Sequence, residues 1–251
     1  MVTADSLERL SLIAREAGAA ILSAAQFSRP VDTKTDRSPV TDADRAAHRS
    51  IVASLSAWDP DIPVISEEGA IPPYETRHAW RRFWLVDPLD GTKEFLNGNG
   101  EYTVNVALID GDEPVMGVVY APALDLLYAA GRRLGSWKQE RSAPTVRLFS
   151  APALPGTPLV VAESRSHPSA DLEAFLKTVP VSRHVQASSS LKFCWIAEGK
   201  ADLYPRFGPT MEWDTAAGDC VFRLSGRGRD RSSPLRYNTP SLRHDRFVIG
   251  L

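Results

Sequence analysis

Two short apolar runs in this chain break off into carboxylates, and that limits what it can fold into. Ile62 to Ile65 ends in Ser66-Glu67-Glu68-Gly69, and Arg82 to Val86 ends in Asp87-Pro88-Leu89-Asp90-Gly91-Thr92. Short apolar runs bounded by turn signals read as buried strands. Both strands therefore deliver acidic side chains to an end, where a cleft can form. Pro88 has no N–H to give to a ladder, so the second strand is expected to stop there and expose Asp87 and Asp90. Gly91 allows a tight turn with close backbone approach to a ligand. Thr92 and Lys93 then open a short helix, whose free N–H groups favour an anion. Carboxylates beside an anion site oppose one another unless a cation lies between them. Carboxylate-held Mg²⁺ that bridges to a substrate phosphate resolves the conflict. Asp-Pro and Asp-Gly are each common turn dipeptides, so the specific signal is the whole six-residue run. Alone, Glu67-Glu68 reads as a solvent-facing pair and Asp214 as a helix N-cap.

The rest of the chain frames that cluster. Leu10, Ile13, Ala17, Ile21 and Ala24 fall at helical spacing, which predicts an amphipathic helix over 5–26. Residues 28–40 read as a loop or irregular hairpin. Thr41 caps a second helix that turns Ala43, Ala47, Ile51 and Leu55 inward. Thr103–Ile109, Pro114–Ala121 and Leu126–Ala130 read as successive antiparallel strands around a Gly111-Asp112 turn. In the second half, Leu159–Ala162, His184–Gln186 and Ala201–Tyr204 read as strands. Ser169–Val179, Leu191–Glu198 behind a Ser188-Ser189-Ser190 cap, and Thr215–Leu224 after Trp213-Asp214 read as helices. Alternating helices and strands make this an α/β chain. The Pro-rich stretch from Ala143 to Pro158 divides it into lobes 1–142 and 143–251.

Composition removes several function classes. The formal net charge of −2 leaves no basic footprint for a nucleic acid. The two cysteines, Cys194 and Cys220, lie far apart and read as reduced, half-buried thiols of a cytosolic protein. Charges interrupt the first 25 residues, which excludes a signal peptide, and no apolar run approaches the ~18 residues of a membrane span. The expectation is a cytoplasmic monomer or homodimer, either free or peripheral at the inner membrane. Five histidines without zinc spacing exclude a zinc hydrolase, and a set of oxygen ligands suits Mg²⁺.

The six-residue run, with Glu67 upstream and Trp213-Asp214 downstream, resembles the inositol monophosphatase superfamily. Val40-Thr41-Asp42-Ala43-Asp44, Pro39, Trp84, Lys93-Glu94-Phe95, Tyr102-Thr103-Val104-Asn105 and Gly117-Val118-Val119-Tyr120-Ala121-Pro122 extend the likeness. Ser189-Ser190-Leu191-Lys192-Phe193-Cys194, Ala197-Glu198-Gly199 and Leu203-Tyr204-Pro205-Arg206 are more narrowly similar to the CysQ type, the 3′(2′),5′-bisphosphate nucleotidases acting on 3′-phosphoadenosine 5′-phosphate. The resemblance implies a layered αβαβα sandwich with most metal ligands in the first lobe and the nucleotide contacts in the second. It implies two or three Mg²⁺ ions held by Glu67, Asp87, Asp90, Asp214 and the Leu89 carbonyl, inhibition by lithium, and a scissile phosphate on the Gly91 and Thr92 amides. Asp36 would activate water with Thr92, and Asp44 and Glu68 are further acidic positions nearby. Ser164 and His167 would lie near the nucleotide, and Ser189, Lys192 and Arg206 would contact it or its second phosphate. The implied reaction releases AMP and phosphate, a step of sulfur metabolism. Two alternatives stay open: an inositol or sugar phosphatase of the same fold, and a non-catalytic phosphometabolite-binding regulator. Residues 131–158 and the segment Leu224 to Asp230 depart from the family pattern.

Overall fold

The computed structural model describes residues 2–27, 31–33, 39–151, 153–154, 156–164, 170–226 and 233–250. It opens with helix α1 (Ala4–Phe27), a hairpin of β1 (Val31–Thr33) and β2 (Pro39–Thr41), and helix α2 (Asp42–Trp58). The start of α2 follows from local chemistry. The Thr41 hydroxyl accepts the Ala43 N–H at 3.2 Å, and Asp44 reaches back to accept the Thr41 N–H at 2.8 Å. This is a capping box, with Asp in the position usually held by Glu. Ala43, Ala47, Ile51 and Leu55 are buried, as their spacing predicts.

The centre is a seven-stranded sheet made of β3 (Val64–Ser66), β4 (Arg82–Asp90), β5 (Thr103–Asp110), β6 (Glu113–Ala121), β7 (Leu126–Gly131), β8 (Gly135–Glu140) and β9 (Val146–Leu148), in that order. The short helices α3 (Tyr74–Arg77) and α4 (Thr92–Asn97) interrupt it. Only β3 and β4 run parallel; the other pairs are antiparallel. Both faces are covered, so the strands read as continuous apolar runs. On β4, Trp84 and Val86 enter the core beneath α1 and α2, while Phe83 and Leu85 enter the core on the other face. Asp87 continues the second parity.

That other face is covered by α6 (Leu191–Glu198) and α7 (Glu212–Arg223). Behind them lie the parallel pair β10 (Leu159–Glu163) and β11 (Val181–Gln186), and β12 (Tyr204–Arg206) paired with β15 (Phe247–Ile249). Helix α5 (Ala170–Leu176) packs outside β10 through Phe175 and Leu176, which completes the order αβαβα. A last small pair, β13 (Thr210–Met211) with β14 (Arg243–His244), sits at the entrance to α7. Gly117 of β6 lets α7 come close: an added Cβ would lie 2.9 Å from the Cys220 Cβ and 3.1 Å from the Ala217 carbonyl.

Several details differ from the sequence reading. β4 does not stop at Pro88. Asp87 pairs with Asn105 and Asp90 with Thr103, so a bulge carries the extra residue, and the missing N–H of Pro88 falls where the ladder is already broken. Asp214 does not precede a helix; α7 begins at Glu212, and Asp214 accepts the Met211 N–H from its first turn. Ser190 gives α6 no side-chain cap, because its hydroxyl donates to the Asp214 carbonyl instead. The third strand of the second half lies at Tyr204–Arg206, with Leu203 making a lone bridge to Val161. Both cysteines are fully buried, not half-buried.

Candidate active site

Three elements converge at the C-terminal end of β4. Glu67 follows β3 and donates its N–H to the Val86 carbonyl at 3.1 Å. Asp87 and Asp90 flank the bulge of β4. Asp214 comes from the first turn of α7 on the far side of the sheet core. Glu67, Asp87 and Asp214 each bring one carboxylate oxygen to within 4.8 Å of the other two. Asp87 ties Oδ1 to the Leu89 N–H at 3.1 Å. Asp214 ties Oδ2 to the Thr210 hydroxyl at 2.6 Å and the Met211 N–H at 3.0 Å. Asp90 uses Oδ2 for the Ser190 N–H at 2.9 Å and the Asn105 amide at 3.3 Å. In each aspartate at least one oxygen is held in place by a protein hydrogen bond.

Burial first, then the charges of Glu67, Asp90 and Asp214, push the Asp87 carboxyl well above its usual range. Burial and the neighbouring Asp214 raise Asp90 to about 7, against the opposing pull of Lys192. Burial also raises Asp214. Like charges this close hold protons or share a cation. An all-oxygen donor set fits a hard divalent ion.

The Gly91 turn and the start of α4 sit beside the carboxylates. Gly91 has φ +94°, and a Cβ there would lie 2.5 Å from the Ser189 hydroxyl. Only glycine lets this turn and the serine loop approach so closely. Thr92 opens α4, and its hydroxyl donates to Asp44 Oδ1 at 3.3 Å. Asp44 is 2% exposed. Burial raises its carboxyl, while hydrogen bonds from Thr41 oppose the rise. Glu68 lies outside the three-carboxylate group, and its charge acts on Asp44 and His48. Leu89 sits within the bulge with its side chain in the core beneath α1 and α2.

A cleft of about 270 Å³ joins Asp90, Gly91, Thr92 and Asp214 to Ser164, Ser189, Lys192 and Arg206. Lys192 is 2% exposed, donates to the Ala187 and Ser189 carbonyls at 3.2 and 2.7 Å, and lies 5.3 Å from the Tyr204 ring centroid. Burial lowers its ammonium to about 8. Arg206 donates to the Gly208 and Pro209 carbonyls at 3.4 and 2.9 Å. Asp36 and His167 lie outside the described residues. Asn105, Ser190 and Thr210 are not among the site residues expected from the sequence, yet they hydrogen-bond Asp90 and Asp214.

The pattern of the inositol monophosphatase family matches residues 6–226. The chain belongs to the inositol monophosphatase family. Among family relatives, it is 49% identical over 225 residues to the 3′(2′),5′-bisphosphate nucleotidase CysQ of Escherichia coli strain K12, covering 88% of each chain. The crystal structure of CysQ from Bacteroides thetaiotaomicron, a bacterial member of the family, superposes with TM-score 0.77 at 39% identity over 94% of this chain and 93% of that one. The Thermotoga maritima IMPase superposes with TM-score 0.74 at 23% identity over 97% and 91%, which establishes a shared fold. Among the described residues, no helix of this family member is long and apolar enough to cross a membrane.

Proposed function

We propose that the chain is a Mg²⁺-dependent 3′(2′),5′-bisphosphate nucleotidase that converts 3′-phosphoadenosine 5′-phosphate to AMP and phosphate in the cytoplasm. The observation that carries this reading is one cleft with two chemistries: Asp90 and Asp214, the latter joined to Glu67 and Asp87, line it together with Lys192 and Arg206. The likeness to CysQ nucleotidases over most of the chain supports the nucleotide as substrate. Glu67, Asp87, Asp90, Asp214 and the Leu89 carbonyl would hold two or three Mg²⁺ ions. When bound, such ions supply a Lewis acid for the phosphoryl oxygens and a more acidic water.

The protein's own groups do the positioning. The turn at Gly91 and the backbone N–H groups opening at Thr92 hold the scissile phosphate. The Thr92 hydroxyl donates to Asp44 and accepts from the water side, so it aligns the attacking oxygen. Asp36 takes the proton of that water. Two of the three donors of Lys192 are engaged by backbone carbonyls, and the third serves the second phosphate beside Arg206. Ser164, His167 and Ser189 complete the nucleotide's surroundings. The division near residue 142 then separates a metal-bearing lobe from a nucleotide-reading lobe.

The test is phosphate release by the purified protein in Mg²⁺. kcat/KM for 3′-phosphoadenosine 5′-phosphate is expected to exceed that for inositol 1-phosphate, and lithium is expected to inhibit. Lys192→Ala is expected to weaken the nucleotide selectively, since losing a charge-assisted contact costs roughly 1.5–3 kcal/mol. Equal losses on both substrates would assign Lys192 to supporting the Ser189 loop. No release without or with Mg²⁺ would favour a binding protein.

A further inference from the structure

The opposite end of β4 from the acidic cluster opens on a second concavity. A groove of about 550 Å³ lies between the first turns of α1, the end of α2 and the ends of β4, β5 and β6. Trp84 lines it. That side chain is 1% exposed, and its indole N–H has no acceptor among the described residues. Buried donors are nearly always paired, so an orphan in a concave site calls for an explanation. Trp84 points to the face of the sheet opposite to Asp87, and it lies about 10 Å before Asp87 along the strand.

The surroundings define a ligand. The Trp84 ring meets that of Trp58 at 5.5 Å and 39°. The Arg9 guanidinium lies 4.9 Å from the Trp58 centroid, which already holds a cation over an aromatic face. The lining carries Arg9, Arg82, Arg132 and Arg133 against Asp5, Asp59 and Asp110. Asp110 is neutralised by Arg81 at 3.2 Å and Arg82 at 2.8 Å, and Arg132 is paired with Glu113. Arg133 makes no ion pair with the described residues, and it is held with φ 72°, in the left-handed region. The site thus offers an aromatic wall, a buried donor and one more cation than anion.

We propose that this groove is a second binding site, separate from the catalytic cleft, for a small aromatic monoanion. Its ring lies along the Trp58 wall, an acceptor atom takes the Trp84 indole N–H, and its charge meets Arg133. The probe is 6-hydroxy-2-naphthoate, which has an aromatic body, a carboxylate and a phenolic oxygen. Calorimetric titration of the full chain in Mg²⁺ buffer is expected to give one site. Trp84→Phe, which removes the donor, and Arg133→Glu, which reverses an exposed charge and leaves the core intact, are each expected to weaken binding at least tenfold. Lys192→Ala is expected to leave the affinity unchanged. No heat at about millimolar probe, or an affinity unmoved by Arg133→Glu, overturns the proposal. So does binding lost in Lys192→Ala, which would put the probe in the catalytic cleft. A dimer in sedimentation that Arg133→Glu dissolves would make the groove an interface between copies and overturn it too.

Discussion

Helix α7 carries two buried carboxylates and a half-buried one, and they have different fates. Glu212 and Asp219 are both 0% exposed and hydrogen-bonded by the protein, although Asp219 uses only Oδ2, its Oδ1 having no partner among the described residues. Glu212 accepts the Asn238 and Thr239 N–H groups at 2.7 and 2.8 Å and the Thr239 hydroxyl at 2.6 Å. Asp219 accepts from Arg223 at 2.8 Å and Tyr237 at 3.0 Å. Burial pushes both carboxyls up, and their next causes, Thr239 for one and Arg223 for the other, pull them down. Asp214, two residues from Glu212, faces Asp87 and Glu67 instead. For Asp87, every cause after burial raises it further. Burial alone therefore does not mark a site. At Asp87 burial is joined by like charges, whereas at Asp214 the Thr210 and Met211 hydrogen bonds and the Arg206 charge oppose it, so what sets Asp214 apart from Glu212 and Asp219 is its approach to Asp87 and Glu67.

The largest expected effect comes from breaking the carboxylate cluster. Asp90→Asn is expected to lower kcat/KM by about 10³-fold or more, because the Lewis-acid contribution of a bound metal is worth several kcal/mol. Its thermal midpoint in EDTA should hold or rise, since one of several like charges is gone. Wild-type protein gives the matching pH test. Folded Asp90 keeps its proton up to about 7, against an ordinary value of 3.8. The folded state thus holds more protons across that window, and its metal-free stability falls as pH rises through it. Mg²⁺ should therefore raise the midpoint more at pH 8 than at pH 6, where it competes with protons. Full activity of Asp90→Asn at limiting Mg²⁺, or a midpoint indifferent to Mg²⁺, would remove the metal from this cluster.

A second contrast concerns the base. Asp36→Asn is expected to lower kcat by about 10²–10⁴-fold with little change in substrate Kd. Asp42→Asn, on an exposed face of α2, is the mild control. Asp44 takes hydrogen bonds from Thr41 and Thr92. If Asp36→Asn is nearly wild type while a folded Asp44→Asn is inactive, the base is Asp44.

The paired set should respond in stability instead. Asp219→Asn leaves the Arg223 guanidinium, 8% exposed, without its closest carboxylate. Breaking a buried pair from one side costs about 3–5 kcal/mol. Chemical denaturation should show that loss equally with EDTA and with Mg²⁺, and the folded fraction should keep its kcat. A loss that Mg²⁺ restores would join Asp219 to the metal cluster.

What the sequence discloses of this molecule follows the range of the interactions. The Thr41–Asp44 box and the inward face of α2 are local, and both are legible. The motif around Asp87 is legible because a strand, a turn and a helix start fall within six residues. The bulge at Pro88 is not, since it is defined by Asn105 and Thr103 of another strand. Ser190 and Asn105 act on Asp90 across 100 and 15 residues, so no spacing rule points to them. Strand β8 is not legible because Gly135–Glu140 is mostly polar and half-exposed, with Trp137 as its one large apolar residue. Thr210 lies four residues before Asp214, so this contact alone is local enough for the sequence to signal.

The smallest effect tests the comparison with a base. His244 is 9% exposed, edges against Tyr237 and Phe247, and its Nε2 has no partner among the described residues. Burial lowers its imidazole from 6.5 to about 4, with Asp245 opposing. The unfolded chain takes up that proton as pH falls below 6.5, whereas the folded chain refuses it until about 4. The unfolded state therefore binds more protons in this window, and stability falls with falling pH, by at most roughly 3 kcal/mol. This sign is opposite to that of the acidic cluster over the same range, so the two partly cancel in the metal-free wild type. His244→Phe keeps a ring between Tyr237 and Phe247 and has nothing to protonate. The midpoint difference between wild type and this variant should move against the wild type from pH 6.5 to 4. β14 pairs His244 with Thr210, whose hydroxyl holds Asp214, so the same acid step should loosen the last carboxylate of the cluster. Mg²⁺ affinity should then fall more steeply with acid in the wild type than in His244→Phe. Parallel curves would confine His244 to the packing of β14.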